Sequence, residues 1–159
     1  PPLHVPDAPC THTQRLETLK RALSEIQGIQ DVQNLETWDF DVLAYNTKEL
    51  YCVTKYIYEV LNLFEDFSLS AETFNNFLNV VSGKYVESNP YHNFSHGVDV
   101  FYTVYRLLMD SKIHLVFSQV EMLAIVTAAL VHDIGHPGVN NVYLVKAKHA
   151  FALLHNDRR

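Results

Sequence analysis

Two histidine pairs, His92 with His96 and His132 with His136, repeat the same four-residue spacing in a chain that carries nine histidines. Residues four apart stand one turn up the same face of a helix, so on a helical reading His92, His96 and Val100 align, with Asp99 beside them. The second pair encloses Asp133 and runs into Gly135, Pro137 and Gly138, residues that must break a helix. Adjacent side chains at such a break can converge in a way a continuing helix forbids. Imidazole and carboxylate together form the ligand set of zinc and of harder divalent ions, and a His–Asp set with room for water is the catalytic rather than the structural pattern. An Asp can bridge two cations through its two oxygens, whereas a neutral His serves one. A bridged pair holds hydroxide at neutral pH and neutralises a phosphoryl group, which is the two-metal route to phosphate-ester hydrolysis. The leaving alkoxide still needs a proton, and a further His near the metals but off them is its usual donor.

The other histidines have a plainer reading. A lone imidazole on an apolar helix face is usually a hydrogen-bonded core residue, and His114, His149 and His155 are read that way. Asp99 has two readings, one orienting an imidazole from the outer shell and one capping local backbone groups.

The elements that must position these residues are all helical. From Thr13, the stripe Leu16, Leu19, Leu23 and Ile26 predicts a helix that Gly28 can close in a left-handed cap. Residues 31–45 are less regular, and Trp38, Phe40, Val42 and Leu43 are expected to pack a short turn onto the core. Asn46 and Glu49 form a capping-box pattern ahead of the amphipathic run Leu50, Val53, Tyr56, Ile57, Val60, Leu61 and Phe64, which predicts a helix over 47–65. Ser70 opens another, with Phe74, Phe77, Leu78, Val81 and Tyr85 facing inward until Asn89-Pro90 stops it. A further helix is expected over 91–112 through Val98, Phe101, Tyr102, Tyr105 and Leu108. Ser118 and Glu121 repeat the capping-box pattern before Met122 to Val131, a stretch apolar nearly all round and so expected to be buried on every side. Residues 141–154 read as helical again. No strand alternation, hairpin dipeptide or internal repeat is present, so the fold class is all-α.

Composition sets the frame around this helical domain. The chain has 159 residues, 48% hydrophobic and 19% charged, with five Gly and six Pro. That is the balance of one globular domain with a core, and it excludes disorder and low-complexity scaffolds. Twelve basic against eighteen acidic residues give a formal charge of −6, which offers no electrostatic support for a nucleic-acid groove. No stretch approaches the roughly 20 apolar residues of a membrane span, and the first residues lack the order of a secretory signal. Cys10 and Cys52 make no disulfide framework, which suits a reducing, cytoplasmic compartment. Residues 1–12, with four prolines, read as a flexible lead or linker, and 13–159 as the helical domain.

The run YHNFSHGVDV, followed some thirty residues later by ALVHDIGHPGVNN, resembles the signature pair of the class I cyclic nucleotide phosphodiesterases, within the wider HD-type metal-dependent phosphohydrolases. Phe117 to Val131 and Val142 to Asp157 also resemble that family, so the likeness covers residues 85–157, and the earlier helices fit the helical lead of the same catalytic domain. The resemblance implies a compact multi-helix domain that hydrolyses cyclic AMP or cyclic GMP to the 5′-monophosphate in cyclic nucleotide signalling. His92 matches the general acid that protonates the O3′ leaving group, and His96, His132 and Asp133 match three ligands of a tightly held zinc. Asp133 also matches the carboxylate bridging to a second ion, magnesium or manganese. His136 matches a neighbour that hydrogen-bonds metal-bound water, and Tyr91 and Asn141 match positions lining the pocket.

There is one departure from the family pattern. Its catalytic domain is longer, and the segments that supply the fourth zinc ligand, a metal-network Glu and the glutamine and aromatic clamp on the purine lie beyond Arg159. The chain is therefore read as an N-terminal portion of the domain, truncated, with little or no activity alone. Two other readings stay open. One is an HD-type phosphohydrolase acting on nucleotides without a cyclic ester, which keeps the His–Asp dyad and does not need His92. The other is a catalytically dead helical module whose exposed core face, along the Met122 to Val131 helix, invites a partner or a second copy.

Overall fold

The computed structural model describes residues 35–155, and among them every regular element is helical. The elements are α1 (Thr47–Val60), α2 (Leu63–Asp66), α3 (Ala71–Lys84), α4 (Phe94–Asp110), α5 (Gln119–Val131), α6 (Asn141–Lys146) and α7 (Ala150–Leu154), with single 3-10 turns at Val42–Ala44 and Ile113–Leu115. The lead or linker expected over 1–12, the helix expected from Thr13 and the final residues 156–159 lie outside the described residues.

Local chemistry explains where most helices start. Asn46 Oδ1 accepts from the N–H groups of Lys48 and Glu49 while Glu49 reaches back to the N–H of Asn46 at 2.7 Å, which closes the first capping box. Ser118 and Glu121 close the second in the same reciprocal way, and Ser70 accepts from the N–H of Thr73 at 3.1 Å. Each cap satisfies donors that the first turn of a helix leaves orphaned.

The ends depart from the sequence expectation in four places. The helix expected over 47–65 breaks after Val60, because Asn62 takes a left-handed conformation at φ 61° and α2 restarts behind it. Asn tolerates that conformation better than other side-chain-bearing residues, so periodicity runs across the break unseen. α3 stops at Lys84 rather than at Asn89-Pro90, with Tyr85 extended. α4 occupies 94–110, inside the expected 91–112, since the Asn93 side chain caps it. The stretch 141–154 is two short helices separated by Lys148 at φ 51°.

Two burial expectations are corrected as well. α5 buries Met122, Val126, Ala129 and Leu130, but Ala124 and Ala128 are exposed, so among the described residues it is covered on one side. Its all-round apolarity carried no information about which side that would be. In the lead-in turn Phe40 and Val42 are buried, whereas Trp38 and Leu43 lie at the surface.

The core is a stack of α1, α3, α4 and α5. Leu50, Val53 and Ile57 of α1 share one buried cluster with Phe74, Leu78 and Val81 of α3, Val98, Phe101 and Tyr105 of α4, and Met122, Val126 and Leu130 of α5. Each such side chain contributes about 1.5–3 kcal/mol on leaving water. Tyr58 sits amid the aromatic part, with ring centroids 4.6 Å from Phe74 and 6.0 Å from Phe101, and its hydroxyl pairs with that of Thr127 at 2.7 Å. α4 and α5 come close at Gly97, where a Cβ would stand 2.5 Å from the Tyr85 hydroxyl and 3.1 Å from the Leu130 carbonyl. That approach sets the start of α4 against the end of α5.

Candidate metal centre

The start of α4 and the end of α5 are where the paired histidines lie. His96 stands in the first turn of α4, its N–H donating to the capping oxygen of Asn93 at 3.1 Å. His132 is the residue after α5, and Asp133 follows in a turn that Gly135 carries at φ 73°. His92 lies outside α4, so it does not share a helical face with His96 and Val100 as the spacing suggested. A tight turn, with the N–H of Asn93 on the Tyr91 carbonyl at 2.7 Å, brings it to the cluster instead.

Nε2 of His96 is 3.4 Å from Asp133 Oδ2, and Nε2 of His132 is 3.3 Å from the same oxygen. The three side chains together offer ligand atoms within 4.8 Å of one another. His92 Nε2 is farther off, at 4.0 Å.

The proton positions follow from the partners. His132 Nδ1 lies 2.8 Å from the Ala129 carbonyl, which can only accept, so Nδ1 carries a proton and, in the neutral tautomer, the lone pair is on Nε2 beside Asp133. A lone pair facing a carboxylate oxygen at that distance is repulsive unless a proton or a cation lies between. Burial, then the neighbouring His132, lowers the His96 pKa, with Asp133 and Asp99 opposing, so the His96 ring is held toward its unprotonated, ligating form. The donor set of two imidazole nitrogens and a carboxylate oxygen fits a zinc-like divalent ion.

His136 belongs to a different arrangement. Its Nδ1 accepts from the N–H of Gly138 at 3.1 Å, which places the proton of the neutral ring on Nε2 and makes that nitrogen a donor rather than a ligand. The ring stacks on His92, centroids 3.7 Å apart and planes 15° from parallel. Tyr91 is exposed and leans on His96 at 4.3 Å. Asn141 opens α6, and no hydrogen bond or ring contact ties it to the cluster among the described residues. His114 is half-buried and donates from Nδ1 to the Leu108 carbonyl at 2.9 Å, while His149 caps α7 at the surface and His155 is exposed, so neither of the last two is a core residue.

Three residues at the site were not read from the sequence as belonging to it. Tyr85 donates to the Leu130 carbonyl at 2.8 Å, Gly97 admits that tyrosine, and Asn89 links the two histidine segments. Asn89 read as a helix stop before Pro90. Its buried amide, a group that must find partners, is visible only in the fold.

The sequence model of the 3′5′-cyclic nucleotide phosphodiesterase family matches residues 91–159. Among curated proteins the chain is 30% identical over 146 residues to the 3′,5′-cyclic-AMP phosphodiesterase 4 of Dictyostelium discoideum, covering 87% of this chain and 14% of that protein. It is 33% identical over 128 residues to the high affinity cGMP-specific 3′,5′-cyclic phosphodiesterase 9A of Homo sapiens, covering 80% of this chain and 21% of that one. The phosphodiesterase domain of a rhodopsin phosphodiesterase fusion from the choanoflagellate Salpingoeca rosetta superposes with a TM-score of 0.71 at 32% identity, over 81% of this chain and 39% of that structure. The chain thus spans a minor part of the length of each relative. No helix among the described residues is long and apolar enough to cross a membrane.

Proposed function

Since the chain belongs to the 3′5′-cyclic nucleotide phosphodiesterase family, we propose that it forms part of a site hydrolysing the 3′ ester of cyclic AMP or cyclic GMP to the 5′-monophosphate, in cyclic nucleotide signalling. The observation that carries this reading is the convergence of the His96, His132 and Asp133 ligand atoms, with two Nε2 atoms 3.4 and 3.3 Å from one carboxylate oxygen.

In this reading His96, His132 and Asp133 would hold zinc, and Asp133 would also help to hold magnesium or manganese. Such ions, when bound, polarise the phosphoryl group and supply hydroxide at neutral pH. The protein's own part is orientation and proton transfer. The Ala129 carbonyl fixes the His132 tautomer, and ligating imidazoles are commonly oriented by such a partner. His92, stacked on His136 and off the ligand cluster, would be the group that gives a proton to the departing O3′. His136, whose Nδ1 accepts from Gly138, would donate from Nε2 to water in the site, and Tyr91 and Asn141 would line the approach.

This chain covers 39% of the solved phosphodiesterase domain it resembles, so it is expected to bind the ion and to turn over cyclic nucleotides slowly or not at all. The test adds zinc to the metal-free chain in a calorimeter, then assays 5′-monophosphate release from each cyclic nucleotide. Saturable binding lost in His132→Ala and Asp133→Ala supports the reading. Unchanged heats in both variants sink it.

A further inference from the structure

Asn89 is buried between the two segments that carry His92 and His136. Its amide nitrogen lies 2.8 Å from the His136 carbonyl and 3.2 Å from the His92 carbonyl. Both of those oxygens can only accept, so the nitrogen, not the oxygen, must face them. The two protons of one amide are therefore divided between two segments 44 residues apart in sequence, counting from His92 to His136. The backbone of Asn89 is held in turn, since Asn93 Nδ2 donates to its carbonyl at 3.1 Å while the Asn93 Oδ1 caps α4. The amide oxygen packs against Gly138, where a Cβ would stand 2.4 Å from it. Gly138 is the residue whose N–H fixes the His136 ring.

We infer that Asn89 is a positioning residue, one that sets the face-to-face stack of His92 on His136 and so the direction in which the proposed proton donor points. The inference rests on the reading of His92 given above, although the stack itself does not. A side chain needed only to fill space or to cap a turn could be replaced by any of similar shape. A donor to two carbonyls cannot, because Asp has the same outline and would turn a negative oxygen toward two acceptors.

The experiment is solution NMR on the full metal-free chain with labelled histidines. In the wild type, ring protons of His92 and His136 show mutual cross-ring contacts and the upfield displacement of stacked rings. Both Asn89 amide protons are slow to exchange. Asn89→Asp should abolish the cross-ring contacts while zinc affinity at His96, His132 and Asp133 changes by less than about tenfold, the low end of losing an outer partner. Persistence of the cross-ring contacts in a folded Asn89→Asp chain overturns the inference. Should that variant not fold, the wild type still decides, since fast exchange of either Asn89 amide proton overturns it too. Zinc binding that fails while the stack stands counts against the metal reading and leaves this one intact.

Discussion

The hydroxyl of Tyr85 occupies the space that a side chain at Gly97 would need, 2.5 Å from where its Cβ would be, and spends its proton on the Leu130 carbonyl at 2.8 Å. Leu130 lies in the last turn of α5, where carbonyls lack a helical partner. One hydroxyl therefore closes the end of α5 and spaces the start of α4, and His96 and His132 are the residues flanking that contact.

Two substitutions test this contact. Gly97→Ala should cost about 1–3 kcal/mol through overpacking. Tyr85→Phe should cost about 1–2 kcal/mol, because a buried carbonyl loses its donor. Combined, the two should cost less than their sum, as the phenylalanine vacates part of the contested space. Urea unfolding of the four chains gives the coupling, and strict additivity would show that the two residues do not meet.

Zinc should raise the melting temperature of the metal-free chain. At a free concentration of 100 Kd the linkage amounts to about 2.7 kcal/mol. His96→Ala, His132→Ala and Asp133→Ala should each remove most of that gain, and His92→Ala should keep it, since His92 Nε2 is the most distant of the three imidazoles from Asp133 Oδ2, at 4.0 Å. Thermal scans with and without the ion read this directly, and an equal loss in His92→Ala would place that ring among the ligands.

Acid should weaken the metal-free fold through His96. Its pKa lies below the ordinary 6.5, chiefly because it is buried. Between that lowered value and 6.5 the unfolded chain binds a proton that the folded chain refuses, so stability rises with pH across this window and is lost as pH falls through it. Urea midpoints measured from pH 7.5 downward should therefore fall more steeply in the wild type than in His96→Gln. Parallel curves would remove His96 as the cause. Zinc binding should weaken over the same range, because ligation needs the unprotonated ring.

The lead-in turn should be held by Arg106. This buried side chain is 2.6 Å from Asp110 Oδ1 and 3.6 Å from Glu36 Oε2, and Trp38 donates to the other Asp110 oxygen at 2.7 Å. Both carboxylates are partly exposed, so Arg106→Leu should cost about 2 kcal/mol, below the 3–5 typical of breaking a fully buried pair. Trp38 is the sole tryptophan, and its emission should shift to the red as residues 36–38 come free. Unaltered emission with a lowered midpoint would mean that Arg106 supports α4 alone.

Alternation of apolar residues at helical spacing, three capping residues and the absence of any strand pattern were enough to determine an all-α domain and to locate most helix starts. These are local properties, read within one or two turns of chain. The ligand types were local too, since His96, His132 and Asp133 carry their chemistry wherever the fold puts them. What spacing could not decide was direction. His92 shares its spacing with His96 but not its helix, because the cap at Asn93 falls between them, and the breaks at Asn62 and Lys148 leave the apolar period undisturbed. The distances across the site depend on contacts between residues far apart in sequence, Tyr85 with Leu130 and Asn89 with His136. A buried hydroxyl or amide finds its partner only once the helices have packed, so the tertiary structure alone could place the two histidine pairs in one site and turn one ring of each away from it.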